Sequence, residues 1–224
     1  MRITILFAFS LLSLPTAGTT ATFDSTTYSV SNWKDEARIN LGLSDRDLSS
    51  GRSLRCAKLN NYWCLKDIGW EGRLGHDQHN HTAFANAAYG ARAATRNLRT
   101  AYVTHGRRTA LQIMSAYAPP DDCVGSIRLS NGKCKFGLNP TKEYAVIVAK
   151  GITEDPNADL QLFDDHGKAT EALVTLLKNI CSYETGGLKV TDQIVRTGIC
   201  LEDQSCQSDN LQATTAPQIS PRRP

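Results

Sequence analysis

The amino-acid sequence predicts a mainly α-helical domain that carries one small β-hairpin insertion. Between residues 51 and 202, apolar side chains recur every three or four positions in successive segments, which is the spacing of amphipathic helices. One stretch instead places apolar residues on either side of Asn131-Gly132, a pair typical of hairpin turns. A length of 224 residues suits one domain with tails.

The first 21 residues have the three-part organisation of a secretory signal peptide. Arg2 supplies a positive charge, an apolar run follows from Ile3 to Leu14, and small residues lead to Ala21. The alternative is a membrane anchor, but a spanning helix needs about 20 apolar residues and this run is shorter. We therefore expect cleavage at or near Ala21, no stable membrane span, and a mature protein that is periplasmic or secreted.

Two polar segments flank the predicted core. Residues 22–50 are expected to hold one short helix, with Asn32 as its N-cap, an acidic pair at its positive end and Gly42 as its stop. Residues 203–224 have little apolar periodicity and contain three prolines, so we expect disorder there.

Within the core, residues 51–202, apolar spacing and glycine or proline stops predict five helices. They span about 87–102, 109–117, 141–151 and 168–184, and a last short helix follows Val190 and stops at Gly198. The hairpin lies between the second and third of them, with Cys123 and Cys134 near its two ends.

Charge gives only weak guidance to function. Arg92, Arg96 and Arg99 share one face of the first core helix, and a solvated face is the favoured interpretation over a binding stripe. The formal net charge of +3 is too mild to indicate nucleic-acid binding. It does suit weak attraction to an anionic polymer such as a cell wall.

Seven cysteines in an exported chain indicate disulfides before metal ligands. Sequence proximity favours the pairs Cys56–Cys64, Cys123–Cys134 and Cys181–Cys200, although connectivity stays open at this point. Cys206 would then be left over. No C-x-x-C pair indicates a zinc ribbon or a thioredoxin-type site.

Six segments in fixed order carry a family resemblance. They are KLNNYWCLK (58–66), WEGRLGHD (70–77), FANAAYGARAATRNLRTAY (84–102), TALQIMSAYAPP (109–120), NPTKEYAVIVAKGI (139–152) and ICSYETGGLKVTDQIVRTGI (180–199). Together, over residues 54–201, the chain resembles phage and prophage virion-associated proteins described as lysozyme-like structural proteins. The resemblance implies a lysozyme-like helical domain that acts on, or docks to, peptidoglycan or a related glycan.

The chain departs from that family pattern in three places. Tyr62-Trp63-Cys64 follows the paired asparagines where the family has Pro-Gly-Asn. Residues 121–138 form an insertion, and the final motif is Tyr-Glu-Thr-Gly at 183–186 where the family has His-Glu-Asn-Gly. These changes affect substrate contacts more than the fold.

Glu184 is the leading catalytic candidate. Its segment is similar to the Glu-Ser-Gly segment of soluble lytic transglycosylases, in which a helix delivers one glutamate to the cleft as general acid. A helix C-terminus disfavours an ionised carboxylate, which suits that role. The alternative is an exposed glutamate at a frayed helix end. A hydrolase would need a second carboxylate, for which Asp77, Glu143 and Asp192 are available, whereas a transglycosylase would not.

Four further residues are candidates for substrate binding. Trp63 and Trp70 can stack on sugar rings, with core packing as the alternative for at least one of them. Asn60 and Asn61 occupy the asparagine-rich position of the family pattern.

The histidine cluster at residues 76–81 has two interpretations. His79 and His81 are spaced as a possible metal chelate, but a polar surface loop is the favoured interpretation. No cofactor is implied.

The sequence thus predicts an exported domain directed at peptidoglycan that cleaves the β-1,4 glycosidic bond as a muramidase or lytic transglycosylase. The alternatives are a wall-binding or structural protein without activity, and an exported effector with another target. Oligomeric state stays open.

Overall fold

The computed structural model describes residues 20–50 and 54–204. Most of the predicted signal peptide, residues 1–21, lies outside this part of the chain. So do Cys206 and nearly all of the tail predicted to be disordered, residues 203–224.

The described chain is mainly helical with small antiparallel hairpins, which confirms the coarse fold class. The helices are α1 (Trp33–Leu41), α2 (Asp45–Ser49), α3 (Arg55–Lys58), α4 (Ala87–Arg99), α5 (Ala110–Tyr117), α6 (Thr141–Ala149), α7 (Glu171–Glu184) and α8 (Asp192–Asp203). A π-helical turn, Thr100–Thr104, extends α4, and a short 3₁₀ turn covers Val124–Ser126. The strands are β1 (Phe23–Asp24), β2 (Ser29–Val30), β3 (Arg73–His76) and β4 (Thr82–Phe84), paired β1 with β2 and β3 with β4.

Local sequence signals set several of the helix ends. Thr109 and Gln112 form a capping box at the start of α5, and the Asn86 side chain accepts a hydrogen bond from Tyr89 N at the start of α4. Gly42 ends α1 in the left-handed conformation, as predicted. Asn32, however, makes no capping bond with its side chain. It instead donates to Ala85 O and so ties α1 to the segment before α4.

The segment before residue 51 belongs to the same hydrophobic core as the later helices. Trp33, Ala37 and Leu41 on the inner face of α1 are buried in one cluster with the apolar faces of α4 to α8. The largest fully buried side chains include Trp63, Tyr62, Tyr144 and Phe84. Among the described residues, no helix has both the length and the apolar content needed to cross a membrane.

Helices α4 and α8 pack against each other at Gly198. This residue lies inside α8, so the prediction that it stops the helix is wrong. A Cβ placed on Gly198 would lie 2.3 Å from Ala91 Cβ and 2.5 Å from the Ala91 carbonyl carbon. The glycine is therefore required for close helix contact rather than for chain termination.

We expect Gly198→Ala to destabilise the protein by about 1–3 kcal/mol, because the added methyl group forces α4 and α8 apart. Denaturant unfolding followed by far-UV circular dichroism measures this loss. Gln193→Ala, at an exposed position of the same helix, should change stability by less than about 0.5 kcal/mol. Equal midpoints for the glycine variant and the control would contradict the packing argument.

The arginine face of α4 pairs with the end of α8, and of its three arginines Arg96 alone stays mostly exposed. Arg92 Nε lies 3.3 Å from Glu202 Oε2, Arg96 Nε lies 3.7 Å from Glu202 Oε1, and Arg99 is ion-paired with Asp203. Arg99 also stacks over Phe163 at 4.5 Å. The solvated-face interpretation is therefore wrong for Arg92 and Arg99, whose side chains are mostly covered.

The predicted hairpin around Asn131-Gly132 is stapled and turn-like but forms no regular strand. Leu129 N donates to Lys133 O at 2.8 Å, and Lys135 N donates to Ile127 O at 3.0 Å. We call residues 121–139 the stapled loop, because the Cys123–Cys134 disulfide closes it. The regular hairpin nearer the site is β3–β4, whose connecting residues 77–81 contain the histidine cluster.

Candidate active site

An open cleft runs past the end of α7. It consists of two adjoining pockets of about 300 Å³ and about 250 Å³ that share Arg55, Cys64, Gly125 and Glu184. The start of α3 and the segment after it form one wall, and the stapled loop forms another. Glu184 therefore lies at the junction of the two pockets, where an extended ligand would pass it.

The Glu184 carboxyl group is held in a largely apolar environment. It is the last residue of α7, and Tyr144 Oη donates a 2.6 Å hydrogen bond to its Oε1. Burial raises the pKa of Glu184, and the Tyr144 bond and the charges of Arg55 and Lys66 only partly oppose that rise. The side chain is thus biased toward the protonated form that a general acid requires.

Three tyrosines fix the position of this carboxyl group. Tyr144 from α6 stacks on Tyr183 from α7 with ring centroids 3.8 Å apart, and Tyr117 from α5 meets Tyr144 edge-on at 6.4 Å. Tyr117 Oη donates to Trp63 O. Burial raises the pKa of Tyr144 well above its ordinary value, so its hydroxyl remains a proton donor toward Glu184.

Two cations connect the walls of the cleft. Lys66 Nζ donates to Ser126 Oγ at 2.7 Å and to His79 O at 2.8 Å. Arg55 Nη1 donates to Gly125 O at 3.1 Å. Both cations therefore link the stapled loop to the opposite side of the cleft and place positive charge beside Glu184.

The turn between β3 and β4 is organised by Asp77. Its Oδ1 accepts from His79 N at 2.9 Å and from His81 N at 2.8 Å, and both carboxylate oxygens lie 3.1 Å from His81 Nδ1. Burial acts to raise the pKa of Asp77, but these hydrogen bonds outweigh it and hold the pKa well below its usual range.

The conformation of the turn that carries the histidine cluster is therefore explained by its hydrogen bonds to Asp77. Of its three histidines, only His81 lines the cleft. No group of three or more His, Cys, Asp or Glu side chains able to hold a metal ion occurs in residues 20–50 and 54–204.

The structure brings only some of the predicted site residues together. Trp70 lines the second pocket with Glu184, and Trp70 Nε1 donates to Lys66 O at 2.8 Å. Trp63 has 0% exposure and donates to Leu177 O at 2.9 Å, so it is a core residue. The substrate-stacking role predicted for Trp63 does not fit this placement.

Asn60 and Asn61 are likewise buried, and their amides satisfy backbone groups. Asn60 Nδ2 donates to Phe84 O at 3.2 Å, and Asn61 Nδ2 donates to Leu65 O and Thr82 O, each at 2.9 Å. Both therefore fasten the segment after α3 to β4. This placement corrects the prediction that Asn60 and Asn61 bind substrate, because neither reaches the cleft.

The carboxylates considered as partners of Glu184 lie elsewhere. Asp77 faces His81, Asp192 is 2.5 Å from Lys178, and Glu143 is exposed on α6, and none of the three lines either pocket. Asp122, at the start of the stapled loop, does line the second pocket. The sequence does not identify Asp122, Arg55, Lys66 or Tyr144 as site residues. Lys66 and Tyr144 lie in segments that carry the family resemblance, but nothing in those segments marks them as neighbours of Glu184.

Two of the three predicted disulfides are present. Cys56–Cys64 and Cys123–Cys134 have Cα atoms 5.3 Å and 5.1 Å apart. The predicted Cys181–Cys200 pair is wrong, because Cys181 is a free, buried thiol on the inner face of α7. Burial raises the pKa of Cys181 to about 12, whereas Cys200 is disulfide-bonded.

We expect removal of the Cys123–Cys134 bond to destabilise the protein by about 2–3 kcal/mol, because the closed loop is short. The double variant Cys123→Ala/Cys134→Ala, unfolded in denaturant beside the wild type, gives this value. Ser130→Ala, exposed in the same loop, is the matched control. Mass mapping of non-reduced peptides checks the pairing, and free thiols at both positions would contradict it.

Comparison of the chain with protein-family models and with curated proteins found no match. The resemblance to lysozyme-like virion proteins therefore stays a prediction, and the cleft itself is the basis for inferring a function.

Proposed function

We propose that this chain is a lysozyme-like domain that cleaves the β-1,4 glycosidic bonds of peptidoglycan, with Glu184 as general acid. One observation carries the proposal: a half-buried carboxyl group, with a raised pKa and a tyrosine hydroxyl bonded to one oxygen, lies where two pockets of an open cleft meet. Glycoside cleavage needs such a group beside the leaving oxygen.

The hydrogen bond from Tyr144 gives the two carboxyl oxygens different tasks. Oε1 accepts the hydrogen bond from the tyrosine hydroxyl, so the proton that Glu184 transfers belongs on Oε2. For a general acid held in one orientation, the free-energy cost of alignment with the glycosidic oxygen is smaller. Tyr144 is therefore a positioning residue for Glu184.

The lining of the cleft suits a glycan that bears carboxylates. Trp70 offers an aromatic surface in one pocket, and Phe136, which is 59% exposed, offers another in the other pocket. Lys66 and Arg55 supply positive charge to the lactyl and peptide carboxylates of peptidoglycan.

Binding without cleavage is the second candidate. Lys66 joins the hairpin loop to Ser126 across the second pocket, beside Glu184. If the Lys66–Ser126 contact persists when a glycan binds, it holds the glycan chain away from Glu184. The protein is then a wall-binding module without activity.

The disulfides support a location outside the cytoplasm. Cys56, Cys64 and Cys123 all line the cleft, and the two bonds they form need an oxidising compartment to persist. We therefore propose a periplasmic or secreted location.

The test incubates the oxidised protein with purified sacculi over a range of pH and measures soluble muropeptides by chromatography. The proposal expects fragments with wild type and none with heat-unfolded protein. Wild type that pellets with sacculi but releases no fragments at any pH would favour the wall-binding candidate. Wild type that neither binds nor releases fragments would exclude both candidates.

A further inference from the structure

His81 carries a buried imidazole that contacts a carboxylate, and the residue borders the cleft. It follows the turn between β3 and β4, and its side chain is only 4% exposed. Asp77 contacts the ring through Nδ1 alone, with both carboxylate oxygens at 3.1 Å. His81 is also one of the residues that line the second pocket, which Glu184 lines from the end of α7. One ring nitrogen is therefore held by a carboxylate, in a residue that borders the cleft containing the candidate acid.

Chemistry assigns the proton within this pair. An ionised carboxylate only accepts hydrogen bonds, so the proton of the contact belongs on His81 Nδ1. In a neutral ring, Nε2 then carries the lone pair. An aspartate that fixes a histidine tautomer in this way is the orienting arrangement of acid–base dyads.

We propose that His81, oriented by Asp77, is the general base of a hydrolytic reaction in which Glu184 is the general acid; this inference rests on the proposed function. A water molecule attacks the anomeric carbon and gives one proton to His81 Nε2. The bond from that carbon to the glycosidic oxygen breaks, and the oxygen takes the proton of Glu184. Proton return from His81 to Glu184 through solvent restores both groups, and the products are a new reducing end of inverted configuration and a free hydroxyl.

The environment of the cleft shifts the pKa values of His81 and Glu184 in opposite directions. Burial lowers the pKa of His81, and the charges of Arg55 and Lys66 lower it further against the opposing effect of Asp77. Burial raises the pKa of Glu184. A base kept neutral and an acid kept protonated at the same pH are the pair that acid–base catalysis needs. The His79 ring also lies near His81, with the two ring centroids 6.4 Å apart.

The first test compares His81→Gln with His79→Gln, a substitution in the same turn whose side chain does not line the cleft. We expect His81→Gln to lower the rate of muropeptide release by about 10²–10⁴-fold and to remove the acidic limb of the pH profile of kcat/KM. His79→Gln should retain both the rate and the limb. An unchanged limb in an active, folded His81→Gln would overturn the assignment.

The second test uses only wild type, so it does not depend on how a variant folds. Proton NMR of freshly released fragments shows whether the new reducing end is inverted, retained or replaced by a 1,6-anhydro ring. Inversion supports His81 as base. Retention or an anhydro end overturns the role of His81 while the proposed glycan cleavage stands, whereas no release at all overturns both.

Discussion

Glu184→Gln is expected to reduce fragment release from purified sacculi by about 10²–10⁴-fold, because glutamine keeps the shape of the side chain but has no acidic proton to transfer. Its amide oxygen can still accept the hydrogen bond from Tyr144, so the geometry of the cleft is preserved. Binding to sacculi should remain, since the lost interaction belongs to the transition state.

The same variant should be at least as stable as wild type, and its advantage in free energy of unfolding should increase as pH rises. The pKa of Glu184 is raised in the folded protein, so folding favours the protonated form. That contribution is fully present below the unfolded pKa of about 4.3 and is lost as pH rises through the folded pKa. Glutamine does not ionise, so the difference in stability in favour of Glu184→Gln should grow over that range and then level off.

Muropeptide release and thermal unfolding, measured on both proteins between acidic and mildly alkaline pH, test the two expectations together. Glu154→Gln, an exposed carboxylate outside the cleft, is the matched control. Loss of stability at neutral pH would indicate that Glu184 holds the fold together. Full activity of the variant would exclude Glu184 as the acid.

Much of the fold could be predicted, because helices are determined by local sequence. The apolar stripe of α7 depends only on residues within that helix, and the Thr109 cap of α5 depends only on residues close to it in the chain. The structure contains both helices. Gly42 ends α1 for the same kind of local reason.

The errors arise where distant segments decide the outcome. Gly198 has the local character of a helix stop, but α8 continues because its neighbour is Ala91 of α4. Trp63 is aromatic and lies next to a cysteine, yet its burial depends on α7, more than a hundred residues away. Spacing favoured Cys181 and Cys200 as a pair, but the helical position of Cys181 turns its thiol into the core.

The candidate site divides in the same way. Glu184 can be predicted from the sequence, because a resemblance and a helix end mark it, whereas Tyr144 reaches it from α6, forty residues earlier in the chain. The sequence alone suggests His81 as a metal ligand, from its spacing to His79. Its contact with Asp77 and its place beside the cleft arise only when β3, β4 and α7 are assembled.

Asp77→Ala is expected to be among the most destabilising single changes in the described chain, by at least about 3 kcal/mol, because it leaves several buried or partly buried donors without an acceptor. These donors are the backbone N–H groups of His79 and His81 and the Nδ1–H of His81. Asp77→Asn should cost less, about 1–3 kcal/mol, since its amide oxygen can still accept from the two backbone groups.

The pH dependence separates this explanation from a simple packing defect. The pKa of Asp77 is depressed in the folded protein, so its contribution is present above the unfolded pKa of about 3.9 and is lost as pH falls through the folded pKa. The gap in stability between wild type and Asp77→Asn should therefore narrow in acid, where the aspartic acid is protonated and resembles the amide. Denaturant unfolding at several pH values measures the gap, with Asp121→Asn as an exposed control. A gap that stays constant into acid would show that Asp77 acts through shape, and the charge-based account of the Asp77–His81 pair would then fail.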